Sequence, residues 1–385
     1  MKLKKGILFF LLVGSLFGYS LIANSQEKGK FNLILDTDMA IDDWPAVLYV
    51  LNQRSRANIL GITVPGTGEA HCKNAIRNVL KLIYLVGREK ENIKVSCGDE
   101  VPMEGVHAFP DAWRKDVDNF YGISIPTSPQ KLPPKIHSVE HMREMIKKSK
   151  KPVVILTLGP LTNMGQLIQK YGDEVTKKIK RIYVMGGTIK AKGNVIVPNF
   201  TDNLKNKVAE WNIWIDPLAA QITYRSGIPI TMVGLDATNQ VQVTRKFAAD
   251  FKAHAKSKGA KFTDNILVKN GWFIDSGEYF FWDPLTAVAV FEPICNIETL
   301  KVDVNVKEQK GMAAKTQLSQ LTKTFAKLAI NQYRGKVKGR KALDEKESGR
   351  TFVSKSSLVK NIQVCMSVKD KKTFFKSYMK ILNKY

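Results

Sequence analysis

Phe31-Asn32-Leu33-Ile34-Leu35-Asp36-Thr37-Asp38-Met39-Ala40-Ile41-Asp42-Asp43 is the stretch on which the fold turns. An apolar run is followed at once by a loop dense in carboxylates and then by an apolar, helix-forming segment. The run predicts a buried strand over residues 31–35, and the next segment a helix over 44–53. The carboxylates therefore sit where a strand ends and a helix begins. A helix N-terminus favours negative charge, which accounts for one or two of them. Asp36, Asp38, Asp42 and Asp43 together repel one another unless a cation lies among them. Oxygen-only ligands suit a hard ion, Ca²⁺ or Mg²⁺, rather than zinc.

The rest of the chain repeats this rhythm. Short apolar runs at 59–64, 93–97, 152–158, 181–185 and 228–233 alternate with helical patterns at about 70–86, 137–149, 161–171, 217–226, 243–258 and 285–291. A further helical stretch at 317–333 and a closing strand and helix at 362–368 and 370–382 complete the pattern. Strands alternating with helices predict an α/β fold, a Rossmann-like open, mostly parallel sheet flanked by helices. Such sheets carry their sites at the C-terminal ends of the strands. Residues 26–385 are expected to form a single domain, with a Lys-rich surface insertion at about 310–348.

At the N-terminus Lys2, Lys4 and Lys5 precede an almost wholly apolar stretch, residues 6–23, and Ala23-Asn24-Ser25 supplies small residues for cleavage before Gln26. Residues 1–25 read as a signal peptide, so the mature protein is expected to be exported, periplasmic or secreted, without stable membrane insertion. An uncleaved anchor helix is the rival reading. The formal charge of +25 raises the question of nucleic-acid binding. The lysines are scattered and no aromatic residues interleave with them, so they read as a solvated basic face and no nucleic-acid partner is expected. Cys72, Cys97, Cys295 and Cys365 show no zinc-type spacing; an oxidising compartment would permit disulfides whose pairing the sequence leaves open.

Further motifs follow the acidic loop in order: Thr157-Leu158-Gly159-Pro160-Leu161-Thr162-Asn163, then Val184-Met185-Gly186-Gly187, Gly193-Asn194, Ala209-Glu210-Trp211-Asn212-Ile213-Trp214-Ile215-Asp216-Pro217 and Trp282-Asp283-Pro284. With the D-x-D-x-x-x-D-D loop they resemble the inosine-uridine preferring nucleoside hydrolase family over about residues 31–300. The resemblance implies hydrolysis of the N-glycosidic bond of ribonucleosides, a small-molecule substrate and a Ca²⁺ cofactor. A homodimer or homotetramer is compatible with it. Asp38, Asp43, Asp283 and the Leu158 carbonyl would hold the ion, and Asp38 would take a proton from a calcium-held water beside the anomeric carbon. Asp42, Asn194, Glu210 and Asn212 would bond the ribose hydroxyls, and Met185 would line the sugar. Asp36 is expected to stand behind the ligands.

The residue types fit that chemistry on their own terms. An oxocarbenium-like state is positive at the sugar, and a carboxylate-rich pocket stabilises it. Alternation would place Glu210 and Asn212 on one face of an extended segment, with Trp211 opposite. Asp216-Pro217 reads as a helix start without chemistry.

Two departures bear on the substrate. Where many relatives carry a His before the last acidic ligand, this chain has Trp282. That resembles the purine-preferring branch, in which tryptophan stacks on the base, and Trp113 is the candidate for its second face. After the second strand, Thr67 replaces a family Asn, and Glu69 and His71 follow it in Gly66-Thr67-Gly68-Glu69-Ala70-His71. They would compensate for that Asn or recognise a different aglycone. Two rival functions remain. One is a calcium-dependent nucleoside or sugar binding protein without turnover. The other is a haloacid-dehalogenase-like phosphatase using Asp36 and Asp38, whose pattern wants Thr or Val where Ala40 stands.

Overall fold

The computed structural model describes residues 29–320, 332, 333 and 335–385. The expected signal peptide lies outside the described residues, as does most of the helix expected at 317–333. Among the described residues no helix is long and apolar enough to cross a membrane.

Eleven strands are described: β1 (Phe31–Asp36), β2 (Ala57–Val64), β3 (Lys94–Cys97), β4 (Val153–Thr157), β5 (Ile179–Met185), β6 (Ile230–Val233), β7 (Cys295–Val304), β8 (Glu308–Ala313), β9 (Lys341–Leu343), β10 (Thr351–Val353) and β11 (Asn361–Val368). The main sheet has the order β10-β7-β11-β6-β5-β4-β1-β2-β3. From β3 to β6 and on to β11 every pairing is parallel, and β7 is antiparallel to both its neighbours. This is the open, mostly parallel α/β sheet that the alternating pattern predicts. Its central part runs 3-2-1-4-5-6, the doubly wound order whose direction reverses between β1 and β4.

The strands are apolar because both faces are covered. Leu33 and Leu35 enter one core, with the helices Asp43–Leu51, Cys72–Leu85 and Trp282–Phe291. Ile34 enters the other, against Ser138–Lys148, Thr162–Tyr171 and Pro217–Arg225. Two disulfides are formed: Cys72–Cys97 joins the helix after β2 to the end of β3, and Cys295–Cys365 joins β7 to β11.

Several elements differ from expectation. The helix expected at 243–258 stops at His254, and Ser257 caps a new one, Lys258–Lys269, its hydroxyl accepting from Ala260 N at 3.0 Å. The segment expected to be extended at Glu210–Asn212 is instead the start of a short helix, Trp211–Ile215. The Glu210 carboxylate caps it by accepting from Asn212 N and Ile213 N. In the Lys-rich insertion, β8 pairs with β9, and a small core joins Ala314, Leu318, Tyr333 and Val337 to Val106 and Ala108.

Candidate active site

The order of the sheet reverses between β1 and β4, where doubly wound sheets carry their sites, and the acidic loop continues from the C-terminal end of β1 at that switch. Met39 turns this loop with a left-handed backbone, φ 61°. For a residue with a side chain that conformation costs on the order of 1 kcal/mol or more. It is held by the indole of Trp44, which donates to Met39 O at 2.7 Å. The next residues then start a helix with Asp43 in its first turn.

Asp42, Asp43 and Asp283 each offer a carboxylate oxygen within 4.8 Å of the others, a grouping able to hold a metal ion. Asp283 arrives from across the fold, in the first turn of Trp282–Phe291, and its N–H points to Asp42 Oδ2 at 3.4 Å. Asp43 accepts from the Thr37 hydroxyl and from Ala40 N at 3.1 Å, and its carboxyl lies within bonding reach of Asp38 and Asp283. Asp38 receives Glu69 N at 3.0 Å on Oδ2 and Ala40 N at 3.4 Å on Oδ1. Two glycines make room for it. A Cβ at Gly68 would come within 2.0 Å of Asp38 Cβ, and one at Gly159 within 2.7 Å.

Burial dominates the electrostatics. Loss of hydration pushes Asp36, Asp42 and Glu210 up to about 7. It raises Asp38, and holds Asp43, Glu69 and Asp283 well above the usual carboxylate range, their mutual repulsion adding to the effect. The buried guanidinium of Arg114 opposes this at Asp38 and Glu69. Asp283 Oδ1 and Asp36 Oδ2 are buried with no hydrogen-bond partner among the described residues. Orphaned anionic oxygens in an oxygen-only set are what a hard divalent cation satisfies, so the residues present fit such an ion. Asp36 stands one layer behind: it accepts from Thr63 Oγ1 at 2.6 Å and from Asn163 Nδ2 at 2.8 Å.

Beside this cluster, Asn212 Nδ2 reaches Leu158 O and Met185 O, both at 3.3 Å, and so ties the ends of β4 and β5 together. Glu210 also accepts from Gly187 N at 3.0 Å. Its oxygens are engaged with backbone donors but retain accepting lone pairs. Asn194 Oδ1 accepts from Trp211 N at 3.1 Å.

The aromatic residues and the loop after β2 have other partners as well. Trp113 packs on Phe200 and Trp211, in a cluster with Phe109 and Trp214. Trp211 is stacked on Phe109 and buried. Trp282 is half-buried beside Tyr279 and Phe280, and its Nε1 donates to Asn239 at 3.3 Å. Among the described residues Trp113 and Trp282 make no ring contact with each other, and both are half-buried. Thr67 turns into the protein, its hydroxyl 2.9 Å from that of Thr162, which donates to Asp216 at 2.8 Å. Asp216 starts the helix Pro217–Arg225, as its Asp-Pro sequence predicts, and also accepts from Met103 N. His71 pairs with Asp118 at 2.7 Å, a structural tie.

The profile of the inosine-uridine preferring nucleoside hydrolases matches residues 33–376. The chain belongs to that family. The pyrimidine-specific ribonucleoside hydrolase RihA of a Shewanella species is 36% identical over 213 residues, 55% of this chain and 61% of that relative's length. Uridine nucleosidase 1 of Arabidopsis thaliana is 30% identical over 296 residues, 76% of this chain and 82% of the relative. A purine-preferring ribonucleoside hydrolase from Gardnerella vaginalis superposes with a TM-score of 0.65 at 25% identity, over 91% of this chain and 98% of that one. The relatives thus divide over the base they take. Family membership removes the phosphatase alternative.

Proposed function

We propose that this chain hydrolyses the N-glycosidic bond of ribonucleosides, purines favoured, with Ca²⁺ as its metal and Asp38 as general base. The observation that carries the reading is the set of buried carboxylates around the unpartnered Asp283 Oδ1 at the switch of the sheet. Asp38, Asp43, Asp283 and the Leu158 carbonyl would hold the ion, and Asp42 would join them or the ribose diol. When bound, calcium would acidify a water and orient the two vicinal hydroxyls.

The chain's own residues do the remainder. Asp38 takes the proton of the attacking water, with its carboxylate fixed by Glu69 N. Glu210, Asn212 and Asn194 bond the ribose hydroxyls, and Met185 lies along the sugar. As the bond to the base stretches, positive charge grows on the sugar and the surrounding carboxylates stabilise it. Trp282 presents an aromatic face next to Asp283, which favours a large purine base. Trp113, half-buried in its aromatic cluster, is the candidate for the second face of the base. The apolar leader and two disulfides support export and action on nucleosides outside the cytoplasm.

The test is release of free base from a panel of purine and pyrimidine ribonucleosides, run with calcium, with a chelator and with Asp38→Asn. The reading expects purine release that the chelator abolishes and the substitution lowers by about 10³-fold. Pyrimidine release alone would overturn the base preference. Nucleoside binding with no release from any member of the panel would instead identify a binding protein.

A further inference from the structure

The loop 65–70, between β2 and the helix Cys72–Leu85, is gripped from two sides. On the inner side it holds Asp38: Glu69 N donates to Oδ2 and Ala70 N to the Asp38 carbonyl, each at 3.0 Å, and Gly68 lies flat against Cβ. On the outer side lies Arg114, from the helix Asp111–Asp118. Its Nε donates to Glu69 O at 3.3 Å and its Nη2 to Gly66 O at 3.2 Å.

Arg114 is 1% exposed, and its Nη1 has no hydrogen-bond partner among the described residues. Its hydrogen bonds among the described residues are two long ones to neutral carbonyls, and its charge otherwise acts through space on nearby acids. That is a weak contribution to stability, because an apolar side chain of similar size would pack at lower cost. What the guanidinium does achieve is to fix the backbone of residue 69 from behind. The carbonyl of Glu69 faces Arg114 while its N–H faces Asp38.

We propose that Arg114 is a positioning residue for the hydrolysis: it grips the 69–70 peptide, whose Ala70 N–H holds the Asp38 carbonyl, and through the backbone of Glu69 keeps the preceding N–H on Asp38 Oδ2. Oδ1, whose bond from Ala40 N is long at 3.4 Å, is then the oxygen that accepts the proton. No hydrogen bond joins Arg114 to Asp38 among the described residues, so apart from its through-space pull on that carboxylate its hold runs through the intervening backbone. The inference rests on Asp38 being the base.

The experiment compares wild type, Arg114→Ala and Arg114→Lys in the full chain, using the nucleoside that wild type cleaves fastest. It measures kcat, KM, calcium affinity by titration calorimetry and melting temperature. Each assay is repeated with millimolar guanidinium or sodium chloride at equal ionic strength. Loss of base orientation by about an ångström predicts a fall in kcat of about 10²-fold in Arg114→Ala, with KM and calcium affinity little changed. Guanidinium, and not sodium, restores part of that rate, and Arg114→Lys falls between the two. A kcat near wild type in Arg114→Ala overturns the proposal. So does a loss shared equally by calcium affinity and melting temperature without guanidinium rescue, which marks a merely structural residue; if Arg114→Ala does not fold, the same criteria apply to Arg114→Lys. An Asp38→Asn variant as active as wild type overturns the base assignment itself, and is read without any Arg114 variant.

Discussion

The carboxylates of this chain live in two settings, and the contrast between them locates the function. On the surface they are paired: Glu140 with Lys170 at 2.6 Å, Asp173 with Lys177 at 2.9 Å, Glu174 with Arg143 at 2.9 Å, and Asp275 with Arg245 at 2.5 Å. Their cationic partners hold Glu140, Glu174 and Asp275 below the usual range. At the switch of the sheet, Asp36, Asp38, Asp43, Glu69, Glu210 and Asp283 are buried, and all are raised. A chain with a net charge of +25 does not lack cations. It sets one of them, Arg225, against the buried Asp303 far from the switch, whereas the acids of the switch have no ion pair among the described residues and only Arg114 close by. Folding stability alone gives no reason for such an arrangement, whereas a site that receives a metal ion and a developing sugar cation does.

Three measurements sharpen this contrast, the largest effect first. Gly68→Ala would drive a Cβ to 2.0 Å from Asp38 Cβ, so either the loop or the carboxylate must move. The expected result is a fall in kcat of about 10²-fold, alongside a destabilisation of about 1–3 kcal/mol from overpacking. An unchanged kcat would show that Asp38 need not be held where it is.

The second concerns pH. Asp36, Asp42 and Glu210 titrate near 7 when folded, against roughly 4 in an unfolded chain. Between those values the folded, metal-free protein binds more protons than the unfolded one, so its stability falls as pH rises from about 4 to about 7. Thermal unfolding after chelation is expected to follow that slope. The stabilisation gained on adding calcium is expected to grow over the same window, since the ion replaces the protons. A metal-free melting temperature that rises through this range would contradict the burial argument. The smallest effect belongs to the surface set, where Lys177→Ala, breaking the exposed pair with Asp173, is expected to leave the melting temperature unchanged.

The same division explains what could be read from the sequence. Strands β1, β2, β4 and β5 are legible because coverage on both faces makes them apolar runs; β4 is buried at every position. The acidic loop is legible because carboxylates at that density have few explanations. By contrast β7 is exposed over residues 296–299, half-buried at 300 and 301 and buried over 302–304, so Asn296, Glu298 and Lys301 disguise it as loop, and β9 and β10 are three residues each. The helix Trp211–Ile215 is too short to display a helical period, and its aromatic residues read as strand. The packing of Trp113 on Phe200 and Trp211 gave no signal, because contacts between distant segments leave no periodic trace. Arg114 gave no signal for the same reason, since its burial is fixed by the loop 65–70 and not by its sequence neighbours.

The central claim is that the buried acids form a cradle for one metal ion, and titration calorimetry of the demetallated protein with calcium tests it most directly. Wild type is predicted to bind one ion per chain, and Asp283→Asn, which removes the anionic charge of the carboxylate whose Oδ1 lacks a partner, to lose most of that affinity while remaining folded. Absence of calcium uptake by wild type, or uptake unaffected by the substitution, would contradict the account.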